Sequence, residues 1–137
     1  MRYDAASRRL LRARDEMDRA YAQPLDVPAL AQVAMTSEAH FIRSFKRTFG
    51  ETPHRYLQRR RLERAMALLR ETERPVTEIC LDVGFTSLGT FSRTFKRVVG
   101  MTPTTYRTAW RVGAGTAGYV PTCVVMAWSR PRTAVSE

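Results

Sequence analysis

One stretch of this chain is written twice. Ala31 to Tyr56 reads AQVAMTSEAHFIRSFKRTFGETPHRY, and Leu81 to Tyr106 reads LDVGFTSLGTFSRTFKRVVGMTPTTY. A step of 50 residues from Val33, Thr36, Ser37, Phe41, Arg43, Phe45, Lys46, Arg47, Gly50, Thr52, Pro53 or Tyr56 meets the same residue type each time. Lys46 and Lys96, the only lysines, are partners in this match. A repeat with no gap implies two copies of one supersecondary unit, and two copies are too few for a solenoid. The expectation is a pair of equivalent heads on one body.

Within each copy the spacing is helical. Leu30, Ala31, Val33 and Ala34 supply a short apolar face behind Asp26, a helix-capping residue, and Pro28 is tolerated in a first turn. Met35-Thr36-Ser37 interrupts that helix. Ser37 caps a longer one in which Phe41, Phe45 and Phe49 form a stripe, with His40, Ile42, Arg43, Lys46 and Arg47 facing outward. Gly50 supplies a helix stop and Thr52-Pro53 a new start. The second copy follows suit: Thr77 as cap, a short helix carrying Ile79, Cys80, Leu81 and Val83, a sharp turn at Gly84, then Ser87 and the stripe Phe91, Phe95 and Val99. A short helix, a tight turn and a longer helix with an apolar inner face and a basic outer one is a helix-turn-helix unit. Such a unit lays its second helix in the DNA major groove.

Flanking segments complete an all-α reading of about seven helices. Residues 7–21 repeat Leu10, Ala13, Met17, Ala20 and Tyr21 at helical spacing, and Gln23-Pro24 ends them. From Pro53 to about Arg70, Leu62, Ala65, Met66 and Leu69 line one face of a central helix, while Arg59, Arg60 and Arg61 form a basic band. Its length of roughly 27 Å is close to the ~34 Å between major grooves one turn apart, which suits a spacer; it also suits an ordinary core helix with a wet face. Tyr106 to Arg111 form a last short helix. The expected organisation is residues 1–25 as the first lobe's leading helix, 26–52 and 72–111 as the two helix-turn-helix segments, 53–71 as the linker helix, and 112–137 as a tail with no assigned role.

Composition agrees with a polyanionic partner. The 137 residues carry a net charge of +10, almost all of it arginine, which suits bidentate contact with phosphates and guanine edges. An arginine excess also arises from solvated helix faces alone. The two cysteines make neither a disulfide framework nor a zinc site, and no apolar run is long enough to span a bilayer. His40 and His54 lack companion acids or cysteines at ligand or triad spacing, so no catalytic residue, metal or cofactor is expected.

Gly84-Phe85-Thr86-Ser87, Phe91-Ser92-Arg93, Phe95-Lys96, Gly100 and Thr102-Pro103-Thr104-Thr105-Tyr106 together resemble the signature of the AraC/XylS family of bacterial transcription regulators. The resemblance covers roughly residues 8–110. It implies two helix-turn-helix lobes joined by a central helix in a bacterial protein associated with the nucleoid; the lack of a bilayer-spanning run and of a signal-peptide core leads to the expectation of a cytoplasmic location. The chain has no room for the large effector domain many members add, so the expectation is a short, stand-alone member binding double-stranded DNA as a monomer, with no membrane role. Met35 stands where the family often has glycine, and Thr36 where it usually has an apolar residue, so a first turn that is strained or less well packed is expected.

Carried over residue by residue, the family's base-reading positions fall on Ala39, Ile42 and Arg43, with His40 beside them, and on Leu88, Gly89, Ser92 and Arg93. Arg43 and Arg93 fit guanine best; their alternative is phosphate contact or solvent. Ala39, Ile42 and Leu88 are limited to thymine methyls. Phosphate contacts are expected from Lys46, Arg47, Lys96 and Arg97, and from the helix starts at Ser37, Thr86 and Ser87. Two functions compete: a sequence-specific transcription regulator inserting two recognition helices into adjacent major grooves, and an interaction module that binds RNA polymerase or another regulator with only general DNA affinity.

Overall fold

The computed structural model describes residues 4–113, which form seven α-helices and no strand among the described residues. They are α1 (Ala5–Arg19), α2 (Val27–Val33), α3 (Glu38–Phe49), α4 (Pro53–Glu71), α5 (Val76–Asp82), α6 (Leu88–Val99) and α7 (Pro103–Gly113). The chain divides into two units, the first running to Arg60 and the second starting at Arg61, inside α4. The all-α class with two helix-turn-helix segments is the observed one. Residues 114–137, most of the tail without an assigned role, lie outside the described residues.

In the first unit, Leu10, Ala13 and Met17 of α1 pack against Leu30, Ala31 and Ala34, against the Phe41, Phe45 and Phe49 stripe, and against Tyr56 and Leu57. Each buried ring is worth ~1.5–3 kcal/mol over leaving it in water. α1 starts and stops earlier than its apolar period implies. Asp4 caps it by accepting from the Ser7 amide at 2.8 Å, and after Arg19 the Gln23 amide turns back to the Ala20 carbonyl at 3.0 Å.

The second unit repeats the plan with different fastenings. Phe91, Phe95, Val99 and Tyr106 are fully or almost fully buried, as are Leu62, Ala65, Leu69, Ile79 and Val83. α5 starts at Val76 behind Pro75 with no side-chain cap, so Thr77 lies inside the first turn and is not its cap. Leu81 is 62% exposed and does not belong to the apolar face assigned to it. α7 begins at Pro103, three residues before the expected start, because the Thr102 hydroxyl receives the Thr105 amide at 3.2 Å. Thr52 does the same for the Arg55 amide at the start of α4.

The repeat is not gapless in space. The buried residues of α2 are matched by those of α5 at an offset of 49: Leu30 with Ile79, Ala31 with Cys80, Ala34 with Val83. The turn keeps that offset, since the Thr36 amide reaches the Ala31 carbonyl and the Phe85 amide the Cys80 carbonyl, both at 3.0 Å. Only from Ser37 and Ser87 onward is the offset 50. The identity of Val33 and Val83 is therefore accidental: Val33 is 38% exposed and Val83 is fully buried. The second turn holds one more residue, and Phe85 uses it to set its ring edge-on to Phe91 at 5.2 Å.

The same register brings Met35 onto Gly84. Both have positive φ, 57° and 100°, and Met35 is the one non-glycine residue among the described residues to do so. A side chain in that region costs ~1–2 kcal/mol through its Cβ, and Met35, 73% exposed, recovers little of this by packing.

Arginines that read as a basic surface are largely structural. Arg59 pairs with Glu51 at 2.8 Å, each side chain only 13% exposed, and Arg60 meets Asp18 at 3.1 Å. Burial pulls the Arg61 guanidinium below its ordinary value. These contacts correct the wet basic band expected on α4. In the second unit Arg107 donates to the carbonyls of Leu69 (3.0 Å), Thr72 (3.2 Å) and Arg74 (2.7 Å), closing the end of α4, where helix carbonyls lack partners. Arg14 lies 4.5 Å over the Phe49 ring, and Arg70 lies 4.9 Å over the Trp110 ring.

The repeated tyrosines differ in polarity. Tyr56 and Tyr106 each meet a stripe phenylalanine at 5.7 Å, edge-on. Tyr56 donates its hydroxyl hydrogen to Asp18 at 2.6 Å, whereas the Tyr106 oxygen accepts from Arg70 at 2.8 Å. Burial, then the hydrogen bond and charge of Asp18, push the Tyr56 hydroxyl well above its ordinary value.

Two expectations follow from these contacts. Met35→Gly gains ~0.5–1 kcal/mol in urea unfolding and Gly84→Ala loses ~1–2 kcal/mol; a destabilised Met35→Gly would mean that packing governs this turn. Because the folded Tyr56 value is raised, its stabilisation is complete below the tyrosine reference near 10 and is lost as pH rises through the folded value. In an ultraviolet titration, Tyr56→Phe is expected to remove one tyrosine ionisation that lies above the ordinary range. A late transition of undiminished amplitude after the substitution would sink this assignment.

Candidate nucleic-acid interface

Burying one stripe of a helix forces its opposite face outward, and α3 and α6 do this with rings every four residues. Each starts on a serine: the Ser37 hydroxyl accepts from the His40 amide at 3.2 Å and the Ser87 hydroxyl from the Thr90 amide at 3.3 Å. Each stops on a glycine in the left-handed conformation, Gly50 or Gly100. The exposed arc between has a fixed start and end.

On α3 that arc holds Ala39, His40, Ile42, Arg43, Lys46 and Arg47, all exposed. On α6 it holds Leu88, Gly89, Arg93, Lys96 and Arg97, exposed, and Ser92, which is half-buried. Ser37, Thr86 and Ser87 are exposed at the helix starts. Each helix thus gathers its own sequence-predicted residues on one side. Arg43, Lys46, Arg47, Lys96 and Arg97 make no ion pair among the described residues, in contrast to Arg59, Arg60, Arg74 and Arg111, which are paired with acids. The unpaired cations stand where an external anion would neutralise them. Lys46, Arg47, Lys96 and Arg97 also lie in the last turns, where the helix dipole favours positive charge.

Four residues of these helices escaped the sequence reading. Thr90 is exposed, and its hydroxyl accepts from Arg93 at 3.5 Å. Glu38 sits exposed in the first turn of α3, where a carboxylate suits the dipole. Ser44 is buried on the stripe side and its hydroxyl has no hydrogen-bond partner; Thr94 is its buried counterpart. Only the 50-residue match of Ser44 with Thr94 hinted that this position is small and inward. Among the described residues no three metal-binding side chains cluster, and no helix is long and apolar enough to cross a membrane.

Two units, each offering the second helix of a helix-turn-helix, define the chain as a double helix-turn-helix protein. A family model described as a helix-turn-helix domain matches residues 30–109. The chain belongs to that family, the AraC-type helix-turn-helix proteins. Regulatory protein SoxS of Salmonella typhimurium is 37% identical over 63 residues, covering 46% of this chain and 59% of SoxS. An uncharacterised helix-turn-helix transcriptional regulator of Haemophilus influenzae is 39% identical over 59 residues, 43% of this chain and 20% of that protein. The chain thus spans under two thirds of the length of either relative. Among solved structures, the DNA-binding domain of the global transcriptional factor AdpA, in complex with a target DNA, aligns with a TM-score of 0.73 and 28% identity over 79% of this chain and 97% of that one. A transcriptional regulator from Chromobacterium violaceum with an AraC-type DNA-binding domain aligns with a TM-score of 0.71 and 29% identity over 84% and 100%.

Proposed function

We propose that this chain is a sequence-specific, double-stranded DNA-binding transcription regulator that offers α3 and α6 each to a major groove. The observation that carries this reading is the unpaired cationic arc on each helix, opposite a buried aromatic stripe; the likeness to a domain bound to its target DNA supports it.

Within this reading, Arg43 and Arg93 contact guanine edges, while Ala39, Ile42 and Leu88 meet thymine methyls. His40 lies beside them. Ser92, half-buried, reaches a base less freely. Lys46, Arg47, Lys96, Arg97 and the helix starts at Ser37, Thr86 and Ser87 hold phosphates and set register. Binding as a monomer, residence at the nucleoid and contact with RNA polymerase belong to the same proposal.

The test is selection of bound sequences from a random duplex pool at physiological salt. Enrichment of an asymmetric site with two short blocks, preferred by about 10³-fold or more, is the expected result. Salt-sensitive binding with no enriched sequence would favour the interaction module. On the selected site, Arg93→Ala is expected to cost ~1–3 kcal/mol of discrimination at one base pair. Lys46→Ala should weaken all sequences alike and lower the salt slope by about one unit. A Lys46→Ala slope equal to the parent's would remove that lysine from the phosphate contacts.

A further inference from the structure

The two recognition helices carry the same arginine on different seats. A long side chain on a helix runs back toward the N-terminus, over the residues three and four positions before it. For Arg93 these are Thr90 and Gly89. Its Nη1 lies 3.3 Å from where a Cβ on Gly89 would stand, and its Nη2 lies 3.5 Å from the Thr90 hydroxyl. Alanine at 89 would crowd the guanidinium. On α3 the corresponding place is already filled, because Ala39 stands four residues before Arg43 and His40 three before.

We infer that Gly89 is a positioning residue for Arg93: its missing side chain is the space in which the guanidinium lies along the first turn of α6, a path that Ala39 denies to Arg43. This rests on the reading of Arg93 as a base-contacting residue. The N-terminal turn is the part of a recognition helix that meets base edges, so Arg93 is held near its working position before DNA arrives. A pre-ordered fork loses less freedom on binding. Arg43 must be ordered by the duplex itself, and the α6 half-site is therefore read more stringently than the α3 half-site.

Two measurements test this, one without DNA. In the free protein, nitrogen-15 relaxation of the arginine Nε–H groups is expected to show Arg93 more ordered than Arg43, with the difference removed in Gly89→Ala. Equal order in the parent protein would overturn the inference whatever Arg93 contacts. The second is a double-mutant cycle on the selected duplex and on the same duplex altered at the base pair that Arg93→Ala identifies. Gly89→Ala is expected to lower discrimination there by roughly fivefold while leaving the thermal midpoint no lower, since alanine is the better helix former. In an Arg93→Ala background the same change should alter discrimination by less than about twofold. An equal effect in both backgrounds would mean that the new Cβ meets DNA directly, and no effect in either would mean that the space is irrelevant; both overturn the inference. If Arg93→Ala changes no base preference, the base-contact reading fails first, and the relaxation result stands apart from it.

Discussion

Each recognition helix takes its orientation from one contact: a stripe phenylalanine against the tyrosine that follows the helix stop. Phe45 meets Tyr56 and Phe95 meets Tyr106 at the same 5.7 Å. The ring pair fixes which side of the helix is inward, and so which side chains are offered outward. Residues along an α-helix are about 100° apart, so a slip of one position would move Arg43 or Arg93 either to the edge of the exposed arc, where Ile42 and Ser92 stand, or into the buried places of Ser44 and Thr94. The outward chemistry is a consequence of the inward packing.

Charge in this protein has two occupations. Arg107 closes the carbonyl end of α4, Arg59 is folded onto Glu51, and Arg14 and Arg70 lie over aromatic rings. These guanidiniums are consumed by the fold. Arg43, Lys46, Arg47, Lys96 and Arg97 are not, among the described residues. Net charge alone therefore overstates the positive surface available to a polyanion, and the informative quantity is where cations lack internal acids.

Periodicity and punctuation made most of the fold legible. The four-residue spacing of the phenylalanines, the serine starts and the glycine stops each have a local physical cause that a reader of residues can apply. What was hidden depends on distant partners. Nothing near Arg59 or Arg107 announces that their ends meet Glu51 or the carbonyls of residues 69, 72 and 74. Thr77 has the residue type of a cap because threonine caps helices, yet α5 begins at Val76 behind Pro75, two residues earlier than that cap implies. The candidate site was legible in its outline, through which residues share the outer arc. The contact between Arg93 and Thr90 depends on a side-chain path that spacing does not encode.

The register change in the turns bears on how far the two halves are interchangeable. From Ser37 and Ser87 onward they superpose at one spacing, but the short helices and turns before them superpose at another. A segment of the second half spliced over the first at a constant spacing of 50 would keep the recognition helix in phase and put the short helix out of phase by one residue. That rotates its inward side by about 100°. It would set Leu81, exposed in its own place, where Ala31 is buried. The repeat gives this protein two similar heads, yet the extra residue at Thr86, between Phe85 and Ser87, means that they are not exchangeable parts. A functional chimera must cross over after the turn or carry the whole unit with its own turn length.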